Sequence, residues 1–416
     1  MARAVEGVAF RFALRAVGPY MEGLSMSYFI RVSDRFATYV GIDLHTTSLT
    51  LAALARAAER PVRRTISTHC TDAILRSIRA LPGPVCVGIE SMGSFYWLWD
   101  LLLPDVEELV LLDALDLSKL APRQADTDRT VSAKIAYLLR DGKVPACYVP
   151  AGDIRRLRQL GRQWHAVTEL GATAKVQMRW QFYQNNFGGP QHINCGSLHR
   201  WMVAHGGKLD AIPMLLMHNW EAIVFAVERI RDDLRREMLR IVRAEPVLVH
   251  RLELLTAARG IADILGIIIL AEFGDFRRFR NADAVACWTG LTERTHISNR
   301  QKYPGRISKA GSPTLRWALC EAGFQIACSD ELYHAIYQAI EAKTGKGAIA
   351  RTAMGRRVAR YVWKAIVSDT PFRVGTSRNR AERANQARRA RRTRREKRLD
   401  KIASKQPTEP TAMTTC

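Results

Sequence analysis

The chain has 416 residues, 47% of them hydrophobic, and 63 Lys and Arg against 40 Asp and Glu give it a formal net charge of +23. That length and apolar content suffice for two or three packed cores and exclude both a disordered chain and a single small domain. The positive excess costs self-repulsion and points to a polyanionic partner, nucleic acid first, while eight cysteines with no CxxC pair or zinc spacing exclude a disulfide framework.

Residues 1–38 carry no clean signal peptide, because the apolar run 8–14 is broken by Arg11, and they read as an extension. From Tyr39 the pattern predicts three hairpin-linked strands through YVGIDLH, TSLTLAALA and PVRRTIST, then a helix over 72–79. PVCVGIE and ELVLLDA read as compact buried strands, separated by a helix through SFYWLWDLL and followed by one over 130–140. This order predicts an α/β domain over 39–150 with a mixed sheet covered on both faces.

Over 151–250 the apolar spacing predicts two long helices. Leu157, Leu160, Trp164, Val167, Gly171, Ala174 and Met178 alternate three and four apart, and Ile223, Val227, Ile230, Leu234, Met238 and Ile241 nearly repeat the pattern. The Gly, Asn and Pro-rich stretch NNFGGPQHINCGS between them predicts an antiparallel arm. Arg155, Arg156, Arg158 and Arg162 crowd the start of the first helix, as a solvated face or a phosphate-contacting one. A mainly α domain follows over 251–371, with helices around Gly260 and Gly266, a loop rich in Arg, Lys, Gly and Ser, and a helix over 314–327. The apolar run 261–273 contains Asp263 and Glu272 and is too short to cross a bilayer, so no membrane segment is expected. The tail 372–416 reads as basic and solvated, with 14 basic against 3 acidic residues between positions 373 and 405.

Asp43 sits inside the first apolar strand and Glu90 ends the fourth, an expensive placement for carboxylates unless a cation compensates them. Asp126 and Asp128 in QADTDRTVSAK precede a helix, so three acidic points converge if that helix begins at the same sheet edge. An all-oxygen donor set favours Mg2+ or Mn2+; for Asp128 a helix N-cap is an equal alternative. His45 shares a strand face with Asp43 and reads as a local packing or hydrogen-bonding partner. Downstream, GLTERTHISNRQKYPGRISKAGSPTLRWAL surrounds Ser298 with Arg294, Arg300, Lys302, Arg306 and Lys309, the cationic company that an activated hydroxyl attacking phosphorus requires. His296 is a candidate base, Ser308 and Ser312 are rival nucleophiles, and GRISKAGS is a candidate phosphate cradle. ARGIADILG reads equally as a DNA-backbone-binding turn or a tight helical hairpin.

GIDLH, GIES, TDR opening a helix, the helical arm and ARGIADILGIIILAEFGDFRRFRNADAVACWTGL with a downstream GRISKAG together resemble the DEDD transposases of the IS-one-ten family of insertion sequences, over about 39–366. The resemblance implies a RuvC-like, RNase H-type metal-binding domain carrying Asp43, Glu90 and Asp128 and a C-terminal transposase domain with Ser298 as nucleophile. It also implies a structured bridge RNA as guide, DNA as substrate, a dimeric or tetrameric assembly and a cytoplasmic, nucleoid-associated location. The chain departs from the family at the fourth acid, where Val131 stands with Ser132 beside it, and at Asn299, where glycine is usual. The alternatives are a metal-dependent junction nuclease using water and an inactive nucleic-acid-binding relic.

Overall fold

The computed structural model describes residues 28–31, 35–91, 93–120, 128–298 and 301–373. Most of the N-terminal extension, Asp126, Asn299, Arg300 and the basic tail lie outside them. The chain divides into two compact units, 1–155 and 156–416.

The first unit is built on a seven-stranded mixed sheet in the order β1-β7-β6-β5-β2-β3-β4. Its elements are β1 (Tyr28–Arg31), β2 (Thr38–Leu44), β3 (Ser48–Ala55), β4 (Val62–Ser67), α1 (Thr71–Arg79), β5 (Val85–Glu90), α2 (Tyr96–Leu102), β6 (Glu108–Leu112), α3 (Ala114–Leu120), α4 (Asp128–Arg140) and β7 (Lys143–Ala146). The central strand β2 runs antiparallel to β3 and parallel to β5, and all seven of its residues are buried, as a strand covered on both faces must be. Val40, Ile42, Val87 and Ile89 form one core with Ile74 and Ile78 of α1 and Leu98 and Leu102 of α2. Tyr39 and Cys86 face the other way, onto Ile135 and Leu139 of α4.

On that second face the glycines decide how closely α4 docks. A Cβ at Gly41 would collide with the Ser132 carbonyl, and one at Gly88 would lie 2.7 Å from Leu112 and 2.8 Å from Ile135. The helix backbone therefore rests directly on the sheet. The three hairpin-linked strands, β5, β6 and the helices around them follow the sequence pattern. Differences come from short elements: β1 lies within the stretch read as an extension, and it pairs with β7, a four-residue strand containing Pro145 that carries no period-2 signal. The buried Phe36 likewise belongs to this core rather than to an extension.

In the second unit, α5 (Gly152–Gln184) and α7 (Ala211–Ala244) form an antiparallel arm, with α6 (Cys195–His205) between them. Gly171 faces Val227, Lys175 Nζ lies 3.9 Å from Glu228 Oε1, and the Arg231 guanidinium lies 4.6 Å from the Trp164 ring centroid. Helix α6 occupies part of the expected turn. Its signal is a capping box, in which Asn194 Oδ1 accepts from Ser197 N at 2.9 Å and Ser197 Oγ accepts from Asn194 N at 3.1 Å. On α7 the buried stripe is Met217, Val224, Val227, Leu234, Met238 and Ile241. Ile223 and Ile230, expected in that stripe, face outward, because the 3.6-residue repeat of a straight helix drifts away from a fixed three-four alternation.

The remainder comprises α8 (Pro246–Thr256), α9 (Asp263–Phe273), α10 (Ala282–Trp288), β8 (Glu293–Ser298), β9 (Gln301–Ile307), α11 (Pro313–Ser329), α12 (Glu331–Thr344) and α13 (Gly347–Val367). Helix α9 is apolar all round and is the interior helix, buried almost throughout. α11 and α13 cross at small residues: Gly323 meets the backbone of Met354 and Gly355, and Gly355 meets Cys320. The segment expected to be a loop is instead the antiparallel hairpin β8-β9. Its charges, Pro304 and Gly305 hide the alternation by which a strand is recognised.

Candidate functional site

Two carboxylates meet at one edge of the sheet. The parallel register pairs Gly41 with Gly88 and Ile42 with Ile89, so Asp43 and Glu90 are the next residues at the ends of neighbouring strands. Strand alternation places both on the face that Gly41 and Gly88 present to α4. Asp43 is only 6% exposed, and His45 Nε2 lies 3.5 Å from its Oδ2, the local partnership expected of that histidine.

The direction of α4 is set at its far end. Tyr137 Oη donates to the Glu59 carbonyl at 2.8 Å and Arg140 Nη1 to the Ala58 carbonyl at 2.7 Å, and these carbonyls follow the end of β3 that pairs with the start of β2. The helix N-terminus therefore lies toward the carboxylates. From Ser132, seated over Gly41, the helix runs back about 6 Å to Asp128, while β2 runs forward about 6.6 Å to Asp43. The Asp128 backbone is thus brought to the acidic edge; its side chain, like all of Asp126, is outside the described set. Among the described residues no group of three His, Cys, Asp or Glu side chains is arranged to hold a metal ion. Val131 is partly buried against the core of Phe36, Tyr39 and Leu117, and Ser132 is fully buried.

Asp113 and Asp116 were not singled out in the sequence. Both follow β6, whose Leu112 pairs with Glu90. Asp113 Oδ1 accepts from Asp116 N at 3.0 Å, which makes it a cap for the short α3, and Asp116 is 6% exposed. The signal available was the one that marks Glu90: a carboxylate directly after a buried strand.

In the second unit Ser298 is the last residue of β8 and pairs with Gln301, which puts its backbone at the hairpin tip, while His296 pairs with Tyr303. Arg294 and Arg306 are exposed, and Arg294 Nη2 donates to the Ser308 carbonyl at 3.1 Å. Lys309 is exposed with φ +54°. The side chains of Ser298, His296 and Lys302 are outside the described set.

Three amides at the base of the hairpin donate within the chain. Ser308 N donates to Thr292 O at 2.8 Å, Lys309 N to Gly290 O at 3.0 Å and Ala310 N to Ser308 Oγ at 3.5 Å. Amides spent internally are not available to cradle a phosphate. Ser312 Oγ accepts from Leu315 N at 3.3 Å as the N-cap of α11. Both rival serines thus have architectural tasks.

Gly260, at φ +107°, has its open side against the backbone of Gln325 and Ile326 of α11, while Arg259, Ala262 and Asp263 in the same turn are exposed. Arg162 binds Glu272 bidentately at 2.6 and 3.0 Å, and Arg158 donates to the carbonyls of Ala271 and Glu272. Both reach the Glu272 carboxylate, itself 2% exposed; Arg158 is buried with it, whereas Arg162 is half exposed. All cysteines among the described residues are free, and burial pushes the thiols of Cys147 and Cys320 up to about 12 and about 11, away from nucleophilic thiolate chemistry. No helix among the described residues is long and apolar enough to cross a membrane.

Residues 252–338, which span α8 to the middle of α12 and include the serine hairpin, match the transposase domain of the IS116/IS110/IS902 family. A probable family 20 transposase of Pseudomonas aeruginosa is 28% identical over 158 residues, 36% of this chain and 47% of that relative, so the similarity spans about half the relative's length. These matches make the segment that holds the hairpin similar to the transposase domain of the IS116/IS110/IS902 family.

Proposed function

We propose that the chain is an insertion-sequence transposase that cuts and rejoins DNA through Ser298, assisted by an acidic site on its first unit. The observation that carries the reading is that the family-matched domain presents Ser298 at the tip of a basic hairpin. A RuvC-like, RNase H-type first domain is supported by its strand order, three antiparallel strands extended by two parallel ones. Asp43 and Glu90 at neighbouring strand ends are hard oxygen donors and fit a divalent cation such as Mg2+ or Mn2+, with Asp128 as third ligand and Asp126 as an alternative. When bound, the cation supplies charge neutralisation and positioning for phosphoryl transfer.

In the reaction the Ser298 oxygen bonds to phosphorus, the bond from phosphorus to the leaving deoxyribose oxygen breaks, and the serine proton ends on that oxygen. Arg294, Arg300, Lys302, Arg306 and Lys309 hold the phosphates and offset the charge that develops on them. Val131 in place of a fourth acid leaves three acidic positions to do this work. A bridge RNA as guide and a nucleoid-associated cytoplasmic location rest on the family resemblance. A dimeric or tetrameric assembly is supported by the apolar outer face of the arm.

The test is a denaturing gel of the full chain with labelled element-end DNA and Mg2+. A covalent protein–DNA adduct is expected, lost in Ser298→Ala while DNA binding persists. An adduct retained by that variant refutes the serine, and cleavage without any adduct assigns the attack to water.

A further inference from the structure

On α13, Arg356, Arg360 and Lys364 recur every four residues with Arg357 and Tyr361 beside them, so all five share one helix face. That face and Ile340 of α12 line a concave space of about 380 Å³. The opposite face, Met354, Val358 and Val362, is fully buried, so folding does not require the basic one. Arg360 Nε donates to Asp283 Oδ1 at 2.7 Å. Among the described residues no carboxylate lies within ion-pairing distance of Arg356, Arg357 or Lys364. The wall is held in place: the Tyr361 ring stacks on Phe372 at 5.6 Å and lies 6.4 Å from the Tyr333 ring. Concentrating cations without counter-charges in a concavity raises the local positive potential and costs energy unless an anion binds there.

We propose that this groove is a sequence-independent contact for the phosphate backbone of duplex DNA, on different elements from the serine hairpin. It lies beyond residues 252–338, so the family match does not assign it. Arg356 to Lys364 spans about 12 Å of helix, a length over which one DNA strand presents three to four phosphates at about 3.4 Å each. Guanidinium forks suit phosphate oxygens, and contacts to the backbone alone read no sequence. The proposal rests on the chain acting on DNA, and the test separates the two.

Binding of the full chain to a fluorescently labelled duplex of arbitrary sequence is measured across a salt series. In Arg356→Gln/Arg357→Gln/Lys364→Gln the affinity falls about tenfold or more and the slope of log K against log salt drops by about 2.7, three phosphate contacts' worth. A control triple, Arg229→Gln/Arg235→Gln/Arg243→Gln, removes the same charge from exposed positions of α7 and changes both much less. Equal effects from the two triples overturn the proposal, as does a loss confined to an RNA duplex of the same sequence. In the unsubstituted chain, Lys364 is protected from acetylation by the duplex; undiminished labelling overturns the groove independently of any variant's folding. An unsubstituted chain that does not bind the duplex sinks the DNA-acting reading as well, whereas binding that ignores the groove substitutions sinks only the groove.

Discussion

His165 is the buried residue whose protonation the fold resists. Its ring stacks on Trp317 at 4.4 Å between centroids, Nδ1 lies 3.2 Å from Thr314 Oγ1, and Nε2, 3.7 Å from Glu169 Oε1, has no hydrogen-bond partner among the described residues. Burial lowers its pKa, against the opposing pull of Glu169 and Glu272. The folded ring therefore holds a proton less tightly than the unfolded chain does, and acidification below about pH 6.5 loads protons onto the unfolded state. Stability from this residue is present above that pH and lost as the pH falls. Thermal melts between neutral and mildly acid pH are expected to show a steeper decline for the native chain than for His165→Gln, and parallel curves would count against the assignment. The nearby Glu272 makes the same point about legibility. In the sequence it is one polar break in an apolar run, and only the fold shows it paired with Arg162 and 2% exposed.

At the scale of the element, the docking of α4 on the sheet is what brings Asp128 toward Asp43 and Glu90. It depends on Gly41, where any side chain meets the Ser132 carbonyl and lies 2.8 Å from Ala136 N. Gly41→Ala is expected to destabilise the first unit by about 1–3 kcal/mol, the cost of overpacking a contact with backbone on one side. The proposed metal-dependent activity should fall with it, because the helix must shift; urea denaturation together with an assay of Mg2+-dependent cleavage reads both, and an unchanged denaturation midpoint would show that α4 docks less tightly. The alternation in GIDLH and VGIE marks both strands and their terminal acids without any structure. Which register the strands adopt, and hence that the two acids are neighbours, is a non-local fact. The hairpin β8-β9 escaped the sequence for the opposite reason: many of its residues are polar or charged, and backbone pairing across the hairpin makes them strands.

For the whole molecule, the arm leaves large apolar side chains in solvent along α7, among them Leu215, Leu216, Ile223, Phe225 and Ile230, the last two 54% and 40% exposed. Apolar side chains gathered on one element, rather than scattered singly, mark an interaction surface. Self-association through this surface predicts that Phe225→Asp/Ile230→Asp lowers the mass measured by sedimentation while leaving the helix content intact. A native chain that sediments as a monomer at micromolar concentration would remove the basis for an oligomer. The net +23 acts at this scale too, favouring encounter with a polyanion such as the proposed DNA substrate and making that binding strongly dependent on salt.

Local pattern by itself determined the element types of the first domain apart from β1, α3 and β7, the antiparallel arm, the acidic strand ends and the serine with its basic neighbours, because periodicity and turn chemistry are encoded within a few residues of each other. Only the tertiary structure decided that Asp43 and Glu90 end neighbouring strands, that the Ser308 and Ser312 hydroxyls accept local amides, that Arg158 and Arg162 meet the buried Glu272, and that Arg356, Arg357 and Lys364 stand together without counter-charges among the described residues. Each of these depends on which backbone or carboxylate comes to lie opposite a residue, and the spacing along a chain carries no record of that.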